Sequence, residues 1–182
     1  MTEILYGTGT ASCGSPDILY DTYARVSEEL YLKFLAQMPL TCVDVVVVQE
    51  GCALLVKRAL PPAQGKWWLP GGRVLKGETL KQTAWRKAKE EVNLDCWVGP
   101  VVHTAETVFP DGPNGVPVHS VNTAFLLIPK RVSSVVYLNS TIEHFWWFNP
   151  EEDKVVLHPY VRECLRKAGF ECESLVSPSD IT

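Results

Sequence analysis

Along residues 17–168 the apolar positions switch between a three-to-four-residue step and a two-residue step. Ile18, Leu19, Tyr23, Val26, Leu30, Phe34, Leu35 and Met38 recur at helical spacing. A helix is expected over 17–38, with a cap at Asp17, a second start at Ser27 before Glu28 and Glu29, and a stop at Pro39. Thr41–Gln49 and Cys52–Arg58 are apolar, strand-length runs on either side of Gly51 and read as a hairpin. Trp67–Leu69 reads as a short strand. Thr79–Leu94 returns to helical spacing, with Leu80, Ala84, Ala88 and Val92 forming an apolar stripe joined by Trp85. Further strands are expected over 97–108, with a bend at Gly99–Pro100, and over 120–128, 135–138 and 143–148. A closing helix over Pro159–Ala168 has proline in its first turn and Gly169 just after it. Strands on both sides of a central helix imply an α+β fold, a mixed sheet sandwiched between helices.

The polar positions draw attention to Trp67–Leu94, where Gly71 and Gly72 precede Glu78 and a helix that carries Glu90 and Glu91. Glycines let a backbone approach a ligand closely. A helix start offers free N–H groups to phosphate. Adjacent carboxylates are hard oxygen ligands for Mg²⁺ or Mn²⁺. Together they point to metal-assisted chemistry on a phosphorylated substrate. Arg58 and Arg73 could make forked contacts to phosphate oxygens. Asp44 places a charge inside an apolar strand and requires a partner, either structural or in a site. His144, with an ordinary pKa of about 6.5, suits a general base or acid, and Glu143 beside it is a further ligand or base candidate. Arg86 is expected to bond Glu78 or Glu90 and hold the loop on the helix. Lys87 reads either as an ion pair or as a phosphate contact.

Composition narrows the classes. The 182 residues suit one domain with added decoration: an N-terminal arm and helix over 1–40, a catalytic domain over 41–170 and a tail over 171–182. The helix of the arm either packs on the domain or pairs two copies into a homodimer. A net charge of −4 argues against nucleic acid as a partner. No apolar run reaches membrane-spanning length, and no secretory signal is apparent at the N-terminus. The six cysteines form no C-x-x-C pair, so neither a disulfide framework nor zinc is expected, and the cytoplasm is the expected compartment.

The pattern Gly72, Glu78, Arg86, Ala88, Glu90, Glu91, Leu94 resembles the Nudix box, G-x5-E-x7-R-E-U-x-E-E-x-G-U with U aliphatic. GKWWLPGG resembles the usual lead-in, and the flanking strands and closing helix extend the likeness over about residues 40–168. The resemblance implies a Nudix-type fold, Mg²⁺ or Mn²⁺ as cofactor and a small nucleotide as substrate. It implies metal ligands at Gly72, Glu90 and Glu91, with Glu143 a further one. Two positions depart: Lys87 replaces the first glutamate of the R-E-U-x-E-E run, and Asn93 replaces glycine. The lysine implies fewer metal ions than a full box holds.

Beyond the box the chain is similar to the GDP-mannose mannosyl hydrolase subfamily. The likeness runs through PAQGKWWLPGGRVLKGETL and FLAQMPLTCVDVVVV and includes Asp44, Arg58, Arg73 and Glu91. It implies substrate contacts from Asp44, Arg58 and Arg73, and His144 as general base. That subfamily carries Gln-His where this chain has Glu143-His144, and the glutamate resembles the extra metal ligand of ordinary Nudix pyrophosphohydrolases. Three functions are therefore weighed: a nucleotide-sugar hydrolase, a pyrophosphohydrolase of nucleoside triphosphates or dinucleotides, and a non-catalytic nucleotide-binding module.

Overall fold

The computed structural model describes residues 26–131, 136 and 138–170. The expected arm over 1–16, the first part of the 17–38 helix, positions 135 and 137 of the 135–138 strand and the tail over 171–182 lie outside the described residues.

Helix α1 (Glu28–Gln37) starts where Ser27 caps it, its side chain accepting from the Leu30 amide. The extended backbone of Met38, followed by Pro39, stops it. Its apolar stripe is less buried than its spacing predicts: Leu35 is covered, whereas Leu30, Phe34 and Met38 stay exposed. The helix is held from one side, by Asn114 donating to Glu28 and by the Arg73 guanidinium lying 4.1 Å over the Tyr31 ring.

Strands β1 (Leu40–Gln49) and β2 (Cys52–Arg58) form the expected hairpin. β1 is the centre of a seven-stranded sheet. It runs parallel to β6 (Val118–Pro129) over eight register pairs, Leu40↔Ser120 to Val47↔Leu127. β6 in turn pairs antiparallel with β5 (Cys96–Phe109), which is irregular between Val98 and His103, around the expected bend. β2 pairs with β3 (Trp67–Trp68) and with β7 (Ile142–Phe148).

Side chains alternate across a strand, and β1 uses both faces. Val43, Val45 and Val47 pack against Ala84, Ala88 and Val92 of α2 (Leu80–Val92). On the opposite face, Val46 joins Tyr160, Val161, Cys164 and Leu165 of α3 (Pro159–Lys167). Burial on both faces is why β1 reads as a nearly unbroken valine run. The sheet therefore lies between α2 and α3, as expected. Leu80 is a correction: it opens α2 but is exposed, so the helix's apolar stripe begins at Ala84.

Candidate active site

Gly71 and Gly72, expected in a turn, belong to a three-residue strand, β4 (Gly71–Arg73), paired antiparallel with Cys42–Asp44 of β1. A side chain at Gly71 has no room, since a Cβ there would fall 2.2 Å from Asp44 Oδ1 and 2.5 Å from the Val43 carbonyl. Gly72 has φ +151°, and its missing side chain leaves space taken by Lys87. With two glycines in so short an edge strand, Lys87 and Glu91 of α2 reach the same cavity as Asp44 on the α3 face of the sheet.

The N-terminus of α2 does not serve that cavity, which corrects the phosphate-loop expectation. Thr79 and Gln82 form a reciprocal capping box, each side chain accepting from the other's amide, and neither residue lines the cavity. Asn93 ends the helix in the left-handed conformation, as the substitution for glycine allows.

One cavity of about 260 Å³ is lined by Asp44, Arg58, Gly72, Arg73 and Glu91 among the candidates, but not by Glu90, Glu143 or His144. Its charged lining residues are Asp44, Arg58, Arg73, Lys87 and Glu91, with Gly72 also in the lining. Glu91 is buried; its Oε2 accepts from the Gly71 amide at 2.9 Å and its Oε1 from Lys87 Nζ at 3.1 Å. Arg58 donates from Nε to the Pro62 carbonyl at 2.6 Å, which fixes its stem while leaving its other donors available. Asp44 is buried, and its partner is the Tyr160 hydroxyl, which donates to Oδ2 at 2.7 Å. Burial raises its pKa to about 7 despite that hydrogen bond, with the charge of Glu91 adding to the rise. Cys42 also lines the cavity, but burial pushes its thiol up to about 12, so it is not a nucleophile at neutral pH.

The remaining polar lining is neutral. Thr107, Ser120 and Asn122 are buried yet line the cavity beside Trp68, Phe109 and Val118. Thr107 and Ser120 hydroxyls are 2.9 Å apart, and Asn122 Nδ2 donates to Thr107 Oγ1 at 2.9 Å. Trp68 stacks on Tyr160 at 5.6 Å and meets Phe109 edge-on at 5.5 Å.

Behind the cavity, Arg86 clamps the box. It donates from Nε and Nη2 to the two Glu78 oxygens at 2.6 and 2.8 Å, from Nη1 to Glu90 at 2.9 Å and from Nη2 to the Arg73 carbonyl at 3.1 Å. Burial works to raise the Glu78 pKa, but hydrogen bonds from Arg86, Thr83 and the Leu75 amide outweigh it and hold the carboxyl below its ordinary value. The expected structural role of Arg86 is met with both carboxylates at once. Lys87, left open between two roles, forms ion pairs with Glu91 and, at 3.6 Å, with Glu90.

Glu143 and His144 stand apart. Both are exposed on β7 and neither is among the residues lining the cavity, although their neighbours Thr141 and Ile142 are. Glu143 instead pairs with Lys57 at 3.5 Å. Sequence reasoning missed Tyr160 and the Thr107–Ser120–Asn122 group. Ser120 and Asn122 carried a signal, polar residues at alternate positions of an apolar strand. Tyr160 carried none, because its role depends on α3 docking beside Asp44.

For a divalent ion the available donors are the Glu90 and Glu91 carboxylates and the Gly72 carbonyl. All are hard oxygens, the chemistry Mg²⁺ and Mn²⁺ prefer. Among the described residues no three His, Cys, Asp or Glu side chains converge into a ready-made metal cluster. Two carboxylates and a carbonyl would leave the remaining positions of such an ion's shell to water and substrate oxygens.

Comparison with known proteins places this architecture. The NUDIX domain family matches residues 38–168, most of the chain, and the chain belongs to the Nudix hydrolase family. It is similar to the low-salt glycan biosynthesis protein Agl8 of Haloferax volcanii, 38% identical over 82 residues, which cover 45% of this chain and 53% of that protein. It is similar to the ADP-ribose pyrophosphatase of Methanocaldococcus jannaschii, 39% identical over 56 residues, covering 31% of this chain and 33% of that one. The chain thus spans about half, or less, of these curated relatives. Among solved structures, the MutT NUDIX hydrolase from Burkholderia pseudomallei matches with a TM-score of 0.61 at 23% identity, over 72% of this chain and 98% of that one. That likeness agrees with the fold. Among the described residues, no helix is long and apolar enough to cross a membrane.

Proposed function

We propose that the protein is a Mg²⁺- or Mn²⁺-dependent hydrolase of a nucleoside diphosphate linked to a sugar. The observation that carries this reading is the mixed lining of the cavity, part charged and part neutral. Arg58, Arg73 and Lys87 supply positive charge for a diphosphate, and Thr107, Ser120 and Asn122, with Trp68 and Phe109, offer neutral hydrogen bonding and aromatic surface. Two relatives support the same class: one is named for glycan biosynthesis, and the other acts on ADP-ribose, itself a nucleoside diphosphate joined to a sugar.

Glu91, Glu90 and the Gly72 carbonyl would hold the ion. When bound, it neutralises diphosphate charge and polarises a bridging oxygen. Arg58 and Arg73 grip phosphate oxygens, and the Tyr31 ring under Arg73 fixes its position. Water is the attacking group, so no covalent nucleophile is needed. Glu91 and Asp44 are the carboxylates in the cavity able to take its proton. The exposed positions of His144 and Glu143 on β7 favour attack at phosphorus over attack at the sugar carbon, for which His144 would be the base. The cytoplasm remains the proposed compartment, supported by the free thiols of Cys42, Cys52, Cys96 and Cys164.

The test is hydrolysis of a panel of nucleotide sugars, dinucleotides and nucleoside triphosphates with Mg²⁺ in ¹⁸O-labelled water. Preference for nucleotide sugars, with label in a phosphate product, is expected. Label in the sugar would move the attack to carbon and restore His144. Binding of nucleotide without any metal-dependent turnover would establish the non-catalytic module instead.

A further inference from the structure

We propose that the Lys87 ammonium is a resident counter-cation of the Glu90–Glu91 pair and holds down the free protein's affinity for a divalent ion. The inference rests on the reading of those carboxylates as metal ligands. Lys87 Nζ lies 3.1 Å from Glu91 Oε1 and 3.6 Å from Glu90 Oε2. Its side chain is only 16% exposed, against 62% for the surface lysine Lys33.

The lysine is seated rather than loosely paired. It lies across Gly72, where a Cβ would fall 2.5 Å from Lys87 Cε and 3.0 Å from Nζ. The side chain missing at Gly72 is the room the lysine occupies. Glu91 is fixed in turn by the Gly71 amide on its other oxygen. Glycine strand, lysine and carboxylate form one packed unit, with the ammonium on the carboxylate oxygens that an incoming ion needs.

A protonated amine has no lone pair and cannot ligate a metal. A positive charge beside a carboxylate also weakens that carboxylate's hold on any further cation, as it does on a proton. An arriving divalent ion must therefore share Glu91 with the ammonium or displace it. A diphosphate offers the displaced ammonium a new partner, because Lys87 lines the same cavity as Arg58 and Arg73. Ion and diphosphate then favour each other's binding, a coupling that works equally in both directions.

The test is a titration of substrate-free protein with Mn²⁺, free ion being read by electron paramagnetic resonance. Wild type, Lys87→Gln, Lys87→Met, Lys87→Arg and Glu91→Gln are compared, each checked for folding by circular dichroism. Both neutral variants are expected to bind Mn²⁺ at least about tenfold more tightly than wild type, the equivalent of one unit in a carboxylate pKa. Lys87→Arg keeps the charge and is expected to stay near wild type. Unchanged affinity in both neutral variants, with binding lost in Glu91→Gln, overturns the inference while the metal-ligand reading stands. Wild-type affinity in Glu91→Gln overturns both.

Discussion

Two adjacent cations of α2, Arg86 and Lys87, each pair with a carboxylate, Glu78 just before the helix and Glu91 within it, and the two pairs do opposite work. Arg86 and Glu78 are sealed: their side chains are 9% and 7% exposed, and both Glu78 oxygens accept hydrogen bonds from the guanidinium. Lys87 and Glu91 are nearly as buried, at 16% and 11%, yet both line the cavity. The first pair fixes the box to the helix. The second presents charge to whatever enters. Burial alone does not tell a structural ion pair from a functional one; what separates them is whether empty space lies on the far side.

Glu91→Gln should have the largest effect. Loss of turnover on the order of 10³-fold is expected with melting temperature nearly unchanged, measured by steady-state kinetics and thermal unfolding. Full activity in that variant would erase the distinction between the pairs. Glu78→Ala should act on stability first, leaving the Arg86 guanidinium buried without its main partner. A loss of about 3 kcal/mol in urea unfolding is expected, whereas Glu78→Leu combined with Arg86→Met should recover much of it.

A third comparison uses pH. The Glu78 carboxyl is held below its ordinary value of 4.5, so the folded state binds its proton more weakly than the unfolded chain. Its contribution to stability is present above about pH 4.5 and is lost as pH falls through the folded value. The buried Asp44 carries the reverse sign. Raised to about 7 from 3.8, it makes the folded state take up a proton first, so its contribution falls as pH rises through that interval. Glu78→Gln should flatten the acid limb of a stability–pH curve, and Asp44→Asn the limb between about 4 and 7. Smallest of all is Lys33→Ala. Lys33 and Glu29 share the i, i+4 spacing of Lys87 and Glu91 but are 62% and 79% exposed. A stability change within about 0.5 kcal/mol is expected.

Much of this was legible in the residues themselves. The valine run of β1, the period of α2 and the proline opening α3 each carry a local signal, and the structure follows them. The Arg86 clamp and the place of Gly72 and Glu91 in the cavity lining were legible through the spacing of Gly72, Glu78, Arg86, Glu90 and Glu91. Strand β4 was not, because two glycines and an arginine have no strand propensity; β1 recruits them by lending its edge. The seat of Lys87 on Gly72 was hidden for the same reason, since it depends on how α2 lies over β4. The exposed positions of Glu143 and His144 follow from the pairing of β7 with β2, for which no local pattern speaks.

The parallel pairing of β1 with β6 sets an order of assembly. Leu40 waits for Ser120, and Asp44 waits for Tyr160, 116 residues downstream. Closing loops of that length costs entropy before any contact repays it, and sheets rich in such pairings form slowly. A chain emerging from the ribosome can form the β1–β2 hairpin and coil α2 early. Until α3 docks, Asp44 lacks the phenol partner that holds it in place. The site is thus among the last parts of the molecule to exist, so partly made chains are poor competitors for its substrate.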